Sequence, residues 1–482
     1  MNITIKNGNL FAILLFFYVL SAFAFPVGSF VIPFYFIVSI LFIACIFIKN
    51  PNLIFKKLKD FYNTRMGKYL VFFLIWVFIT IFISIISGTF ILKSFFSNFI
   101  GNFFCTILFP ILIPIVILPN FLSYKKLGKY LLILYFFVGL TGVIEYIANT
   151  YNISVIQDIF NFFINRNATI SGNERVFVQA YGRFRISGIF QEPGNLAGFI
   201  FMSCPIIYFL CKTKIKLLRN RLLDSFVKLS TLIFSIICFI GTQSPINLSF
   251  MLIFLGIVFI YKLFKLKIKH KGVIFLTIGI FILLSLFLAI EIFKFMGVDI
   301  TETFIVRIIN VSKALTSITV LTIVEPSLAT RIGNYAAQWN IGLHHPIFGV
   351  GYGNINSCWA AAVKSLPFPI TDELAFYAFN TGKQAGGGAI LFKLIAETGF
   401  VGTFLFIIFI TSVVFNARKF IKYLDEYEKG LMISLILYLL LFIFTIYYST
   451  FDGIKCVYLG ILVSMILNTK NKLIKLRKSQ ES

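Results

Sequence analysis

The sequence predicts an all-α polytopic membrane protein, and three observations carry that prediction. Of 482 residues, 59% are hydrophobic and 13% charged, where a water-soluble chain has about a quarter charged. Mean hydropathy is +0.94. Apolar runs long enough for the roughly 20 helical residues that cross a bilayer core recur along the chain. A water-soluble enzyme is excluded, because one or two cores cannot hide this much apolar surface.

The runs fall near 9–25, 30–48, 69–87, 95–118, 130–148, 189–211, 229–244, 246–261, 272–292, 388–415, 430–448 and 453–468, giving about twelve transmembrane helices in one integral membrane domain, 1–482. The first run reads as an anchor. Lys6 precedes it, Phe25 and Pro26 stand where a small-residue cleavage site belongs, and a second run follows at once.

Net charge is +25, from 43 Lys and Arg against 18 Asp and Glu. In a soluble protein that excess points to nucleic acid. Here it sorts by side. With the N-terminus inside, the basic segments beginning at Lys6, Lys49, Lys125, Lys212, Lys262, Arg418 and Lys470 share one face, which carries +24 of the total. The charge therefore reports orientation, both termini are expected to be cytoplasmic, and no nucleic-acid surface is needed. Cys45, Cys105, Cys204, Cys211, Cys238 and Cys456 lie in or beside apolar runs, so no disulfide framework is implied.

Two long polar segments, 149–187 and 293–387, fall on the outer face and are expected to be ordered caps with short amphipathic helices. Within the second, 303–325 is expected to lie in the interface, because Arg307 and Lys313 sit near its middle.

The first chemical constellation spans 182–199. Arg183 and Arg185 precede a span that Pro193 can begin, with Glu192 near its cap and Asn195 in its first turn. A helix amino end beside two guanidinium groups suits a phosphate, whose oxygens match the planar fork of Arg. Lipid-headgroup anchoring of the two arginines is the plain alternative. The second constellation spans 330–354. A helix over 331–343 places Arg331, Asn334, Tyr335 and Gln338 on one face, with Ile332, Ala336, Trp339 and Leu343 on much of the other. Pro346 stops that helix, and Gly349, Gly351 and Gly353 permit a tight turn. His344 and His345 are acid or base candidates near neutral pH, or structural caps. Tyr181, Trp339 and Tyr352 are candidates to stack on sugars. Glu397 lies in a predicted span, where an ionisable group marks function by default, with an ion pair to Lys393 four residues earlier as the alternative.

These two loops carry a resemblance. RFRISGIFQEPGNLAGF, RIGNYAAQWNIGLHHPIFGVGYGN and LFKLIAETGFVGT resemble, in order, the Arg, Pro, Trp, His-Pro, Gly-x-Gly and Glu-x-Gly patterns of the O-antigen polymerase and O-antigen ligase superfamily. The motifs cover about 60 residues; the rest agrees in architecture, many spans with two large external loops. The resemblance implies a metal-independent, cofactor-free glycosyltransferase acting on undecaprenyl-diphosphate-linked glycans at the periplasmic face of a bacterial inner membrane. A polysaccharide chain-length regulator is an implied partner. It also implies catalytic roles for Arg183, Arg185, Arg331, Glu192, His344 and His345, and substrate contacts from Tyr181, Asn195, Asn334, Gln338, Trp339, Gly351 and Tyr352. The ligase branch carries a His-Asn pair nine residues before the Glu, where this chain has Gly388 and Ala389, a departure that favours a polymerase. Capsule and common-antigen polymerases are siblings. A lipid-linked glycan flippase is the rival from another class, and a structural membrane subunit the third reading.

Overall fold

Groups that start helices stand just ahead of the apolar runs. In a computed structural model, Thr64, Ser123 and Asn220 each turn a side-chain oxygen back onto an amide of the following first turn, on Gly67, Lys126 and Leu222 respectively. This satisfies donors that have no partner within the helix. The structure describes residues 51–92, 107–118, 122–160, 185–190, 193–242, 326–382, 390–444 and 453–481, with strands at 24–27 and 30–33 and isolated positions elsewhere. The expected spans at 246–261 and 272–292 and the interfacial segment 303–325 lie outside the described residues, single positions apart.

Strands β1 (Ala24–Val27) and β2 (Phe30–Pro33) pair antiparallel. Helices follow: α1 (Pro51–Tyr62), α2 (Arg65–Ile86), α3 (Phe109–Ile117), α4 (Tyr124–Thr150), α5 (Pro193–Lys212), α6 (Arg221–Gly241), α7 (Pro326–His344), α8 (Trp359–Lys364), α9 (Asp372–Ala375), α10 (Ile390–Phe420), α11 (Glu426–Phe444) and α12 (Gly453–Glu481). Six of them, α2, α4, α5, α6, α10 and α12, are long and apolar enough to cross a membrane, which makes this a membrane protein. Phe72, Ile75, Phe78 and Phe82 on α2 stand exposed, a stripe that lipid solvates and water would not.

The hairpin corrects one expectation. The runs near 9–25 and 30–48 were expected to be transmembrane helices, yet 24–27 and 30–33, at the end of the first and the start of the second, are extended. Pro26 and Pro33 explain it, since neither supplies the amide that an inner helical turn requires.

Helix α12 forms the centre, packed on α3, α10 and α11; α4 lies against α5 and α6, α5 against α11, and α2 and α7 against α10. At one end, Lys57 of α1 donates to Asn468 Oδ1, and Asn468 Nδ2 donates to Tyr124 Oη and Leu118 O. This ties α1, which leads into the start of α2, to the start of α4 beside the basic tail of α12. The finishes of α2 and α4, and with them both sequence constellations, therefore lie at the opposite end.

Candidate functional site

The first constellation is built on a close crossing of α4 and α6. Gly139 and Gly142 of α4 leave no room for a side chain: a Cβ would run into Phe234 at the first and Cys238 at the second. Residues 185–190 lie in the corner this crossing makes. Ile186 is fully buried and its amide donates to Gly241 O at 3.0 Å. Arg185 Nε donates to Thr242 O at 2.9 Å, so the carboxyl end of α6 holds both residues. From the other side Glu145 of α4, only 1% exposed, accepts three bonds: from Ser187 N at 2.8 Å, Ser187 Oγ at 3.1 Å and Gly188 N at 2.5 Å. Gly188 has φ +56, a left-handed turn that glycine makes without strain. Helix α5 begins at Pro193 as expected, with Pro193 buried and Asn195 exposed. Tyr181, Arg183 and Glu192 lie outside the described residues.

The second constellation is built on a break in α10. Gly399 (φ 69, ψ −178) leaves the helical region in mid-helix. At the break the amide of Phe400 and the carbonyl of Ala396, partners in an unbroken helix, are parted. Phe400 N donates to Pro346 O at 2.8 Å, and Ala396 O accepts from Val350 N at 2.9 Å. The loop 346–350 thus replaces one helical bond with two of its own. Thr398 O is taken by Trp76 Nε1 of α2 at 2.9 Å, and the Trp76 ring stacks on Phe348 at 5.2 Å. Gly349 lies directly on the 396–398 backbone and Gly351 on Thr80 and Ser84 of α2. Asn354 closes the loop, donating to Thr89 O and accepting from Ile91 N. Broken helices at membrane depth are tolerated where protein satisfies the freed backbone groups, as here. Replacing Trp76 with Phe keeps the stack and loses the bond, so thermal stability in detergent is expected to fall by about 1 kcal/mol; Trp76→Ala is expected to cost more.

Helix α7 covers the expected 331–343, and its two faces differ in exposure. Asn334 and Gln338 are fully buried, while Trp339 is 40% and Leu343 54% exposed. Gly342 packs on Ile395 and Tyr335 stacks on Phe392, so the face bearing the polar residues is the one against α10. Asn334 and Gln338, expected from the resemblance to contact substrate, lie within the packing of α7 on α10. Tyr352 likewise is buried, edge-on to Phe103, and is a core aromatic rather than an exposed platform. Trp339 remains accessible beside Phe392 and Phe400. Arg331 is half-buried.

Glu397 is buried at the break, with Lys393 Nζ 4.0 Å from its Oε1. The Gly353 amide lies close enough to act on the carboxylate, but neither oxygen has a full hydrogen bond among the described residues. His344 Nδ1 lies 2.9 Å from Asn340 O at the end of α7. His345 is exposed, and partial desolvation, reinforced by His344, holds its imidazole below the ordinary histidine value. Among the described residues no three His, Cys, Asp or Glu side chains converge, so no metal ligands are assigned.

Glu145 and Trp76 were not singled out as site residues from sequence. An ionisable residue near the end of a span was a usable signal for Glu145; nothing in the sequence marked Trp76. No protein-family model matches the chain, and no curated protein matches it.

Proposed function

We propose that the chain is an O-antigen polymerase: a glycosyltransferase of about twelve spans with both termini cytoplasmic, joining undecaprenyl-diphosphate-linked repeat units at the periplasmic face of a bacterial inner membrane. The observation that supports it best is the gripped segment at 185–188, where a backbone carbonyl holds the Arg185 guanidinium and a buried carboxylate holds the turn after it, at the end of the bundle opposite the basic tail. The donor carries its own leaving group. An acceptor hydroxyl attacks the anomeric carbon, the bond from that carbon to the diphosphate oxygen breaks with its electron pair, and the hydroxyl proton passes to a base. Arg185 and Arg331, with Arg183 from the sequence, would stabilise charge gathering on the diphosphate. His345 can take the proton, with His344 and Glu192 as the other candidates.

Deleting the gene in its host tests the reading. A polymerase leaves lipid A-core capped with a single repeat; a ligase leaves none attached while polymer accumulates on undecaprenyl diphosphate. Full-length surface polymer in the deletion strain would sink the proposal. Arg183→Lys, Arg185→Lys and Arg331→Lys keep charge but lose the fork, and each is expected to cut polymerisation about a hundredfold where the guanidinium meets developing charge. Normal chain length in all three at normal abundance would remove the diphosphate clamp.

One observation favours a second reading. A helix broken around a buried carboxylate is a transporter device, and α10 with Glu397 has that form. A lipid-linked glycan flippase predicts that deletion traps single repeats on the cytoplasmic side.

A further inference from the structure

We propose that Glu145 is the positioning residue of the anion site, an inference that rests on the polymerase reading of Arg185. A carboxylate buried in the apolar wall of a helix bundle is costly unless donors satisfy it. Three such donors reach Glu145 from one turn: two consecutive amides and a hydroxyl of Ser187 and Gly188, 42 and 43 residues away in sequence. Three bonds onto two adjacent residues fix where that turn sits and how it faces. Arg185 lies two residues before it, and its Nε bond to Thr242 O sets the plane of the guanidinium from the other side. The segment is therefore held between two helices that touch through glycines, and neither grip alone defines the direction of the fork. A guanidinium that stabilises a leaving diphosphate must be in place before the bond breaks, and a misplacement of about 1 Å can cost on the order of a hundredfold in rate. Glu145 acts through Arg185 and need touch no substrate.

Glu145→Gln tests this at nearly constant shape. The amide oxygen can stay on the two backbone N–H groups and the NH2 can donate to Ser187 Oγ, so what the variant removes is the charge that makes such bonds roughly twice as strong as neutral ones. Two measurements are made on full-length protein in detergent: hydrogen exchange across 185–190, and turnover of the lipid-linked single repeats extracted from the deletion strain. Faster exchange in 185–190 with α2 and α10 unchanged, and kcat down tenfold or more at little-changed KM, is the expected result, with Glu145→Asp recovering part of it. Ser187→Ala removes one bond from the other side and is expected to move both readouts the same way by less; it also reports on the latch should the Gln variant not accumulate. Unchanged exchange in both variants means that Glu145 does not hold the segment, and the proposal falls. Faster exchange with full turnover also overturns it. In that case Arg185→Lys separates the causes: impaired turnover leaves the polymerase reading standing without the latch, and full turnover removes Arg185 from the reaction as well.

Discussion

Gly399→Ala is expected to remove most of the protein's stability. The residue sits at φ 69 and ψ −178, a region that essentially only glycine occupies, and forcing another residue there costs about 1–3 kcal/mol. Space adds to strain. A Cβ at 399 would run into the carbonyls of Ile347 and Pro346, which are backbone and cannot rotate away. The loop would have to lift, giving up the Phe400 to Pro346 and Val350 to Ala396 bonds and leaving buried backbone groups unpaired. Each orphaned group adds about 1–3 kcal/mol, so the sum approaches the 5–15 kcal/mol that typically holds a folded domain together. Gly88→Ala is the control. Its φ of 71 is nearly the same, but nothing lies within 4 Å of the added carbon, so only the strain of about 1–2 kcal/mol remains. Thermal melting in detergent separates the two: a folded Gly399→Ala protein with the same midpoint as Gly88→Ala would mean that the loop does not depend on the break.

That glycine also shows where sequence stops being informative. Hydropathy follows side-chain chemistry averaged over a span, so it placed α2, α4, α5 and α10 within a few residues of 69–87, 130–148, 189–211 and 388–415. It carries no trace of a single φ angle, and AETGF scores as continuous helix. The hairpin at 24–33 escaped for a related reason: Phe, Val and Ile serve a strand as readily as a span, and only Pro26 and Pro33 argued otherwise. Periodicity found α7 and its two faces but does not say which of them is open. A polar stripe on an amphipathic helix ordinarily faces water, yet here Asn334 and Gln338 face α10 while the apolar edge at Trp339 and Leu343 is the more open. Arg185 was legible as a candidate from its neighbours. What holds it was not, because the Glu145 pairing joins residues 42 apart through a helix crossing that local patterns do not encode.

Asn468→Leu is expected to be the other large loss, at the basic end of the bundle. The amide is a hub: Oδ1 accepts from Lys57 Nζ at 2.9 Å, while Nδ2 donates to Leu118 O at 3.1 Å, Tyr124 Oη at 2.8 Å and Ser464 Oγ at 3.2 Å. Leucine fills the volume but leaves the buried Lys57 ammonium without that acceptor and Tyr124 without that donor. Removing one partner of a buried charged hydrogen bond costs about 3 kcal/mol or more. Much of this penalty is the stranded charge, so Lys57→Met in the same chain is expected to recover part of it, with a coupling of about 1 kcal/mol or more in the double-mutant cycle. Simple additivity of the two variants would refute the hub. The pH dependence supplies an independent check. Burial, partly offset by Asp60, lowers Lys57 from the ordinary lysine value of 10.5. Between its folded value and 10.5 the unfolded chain binds more protons than the folded one, so this group makes stability rise with pH through that alkaline window. Lys57→Met is expected to flatten the rise, and an unchanged slope in the melting midpoint against pH would show that the lysine is not desolvated against Asn468.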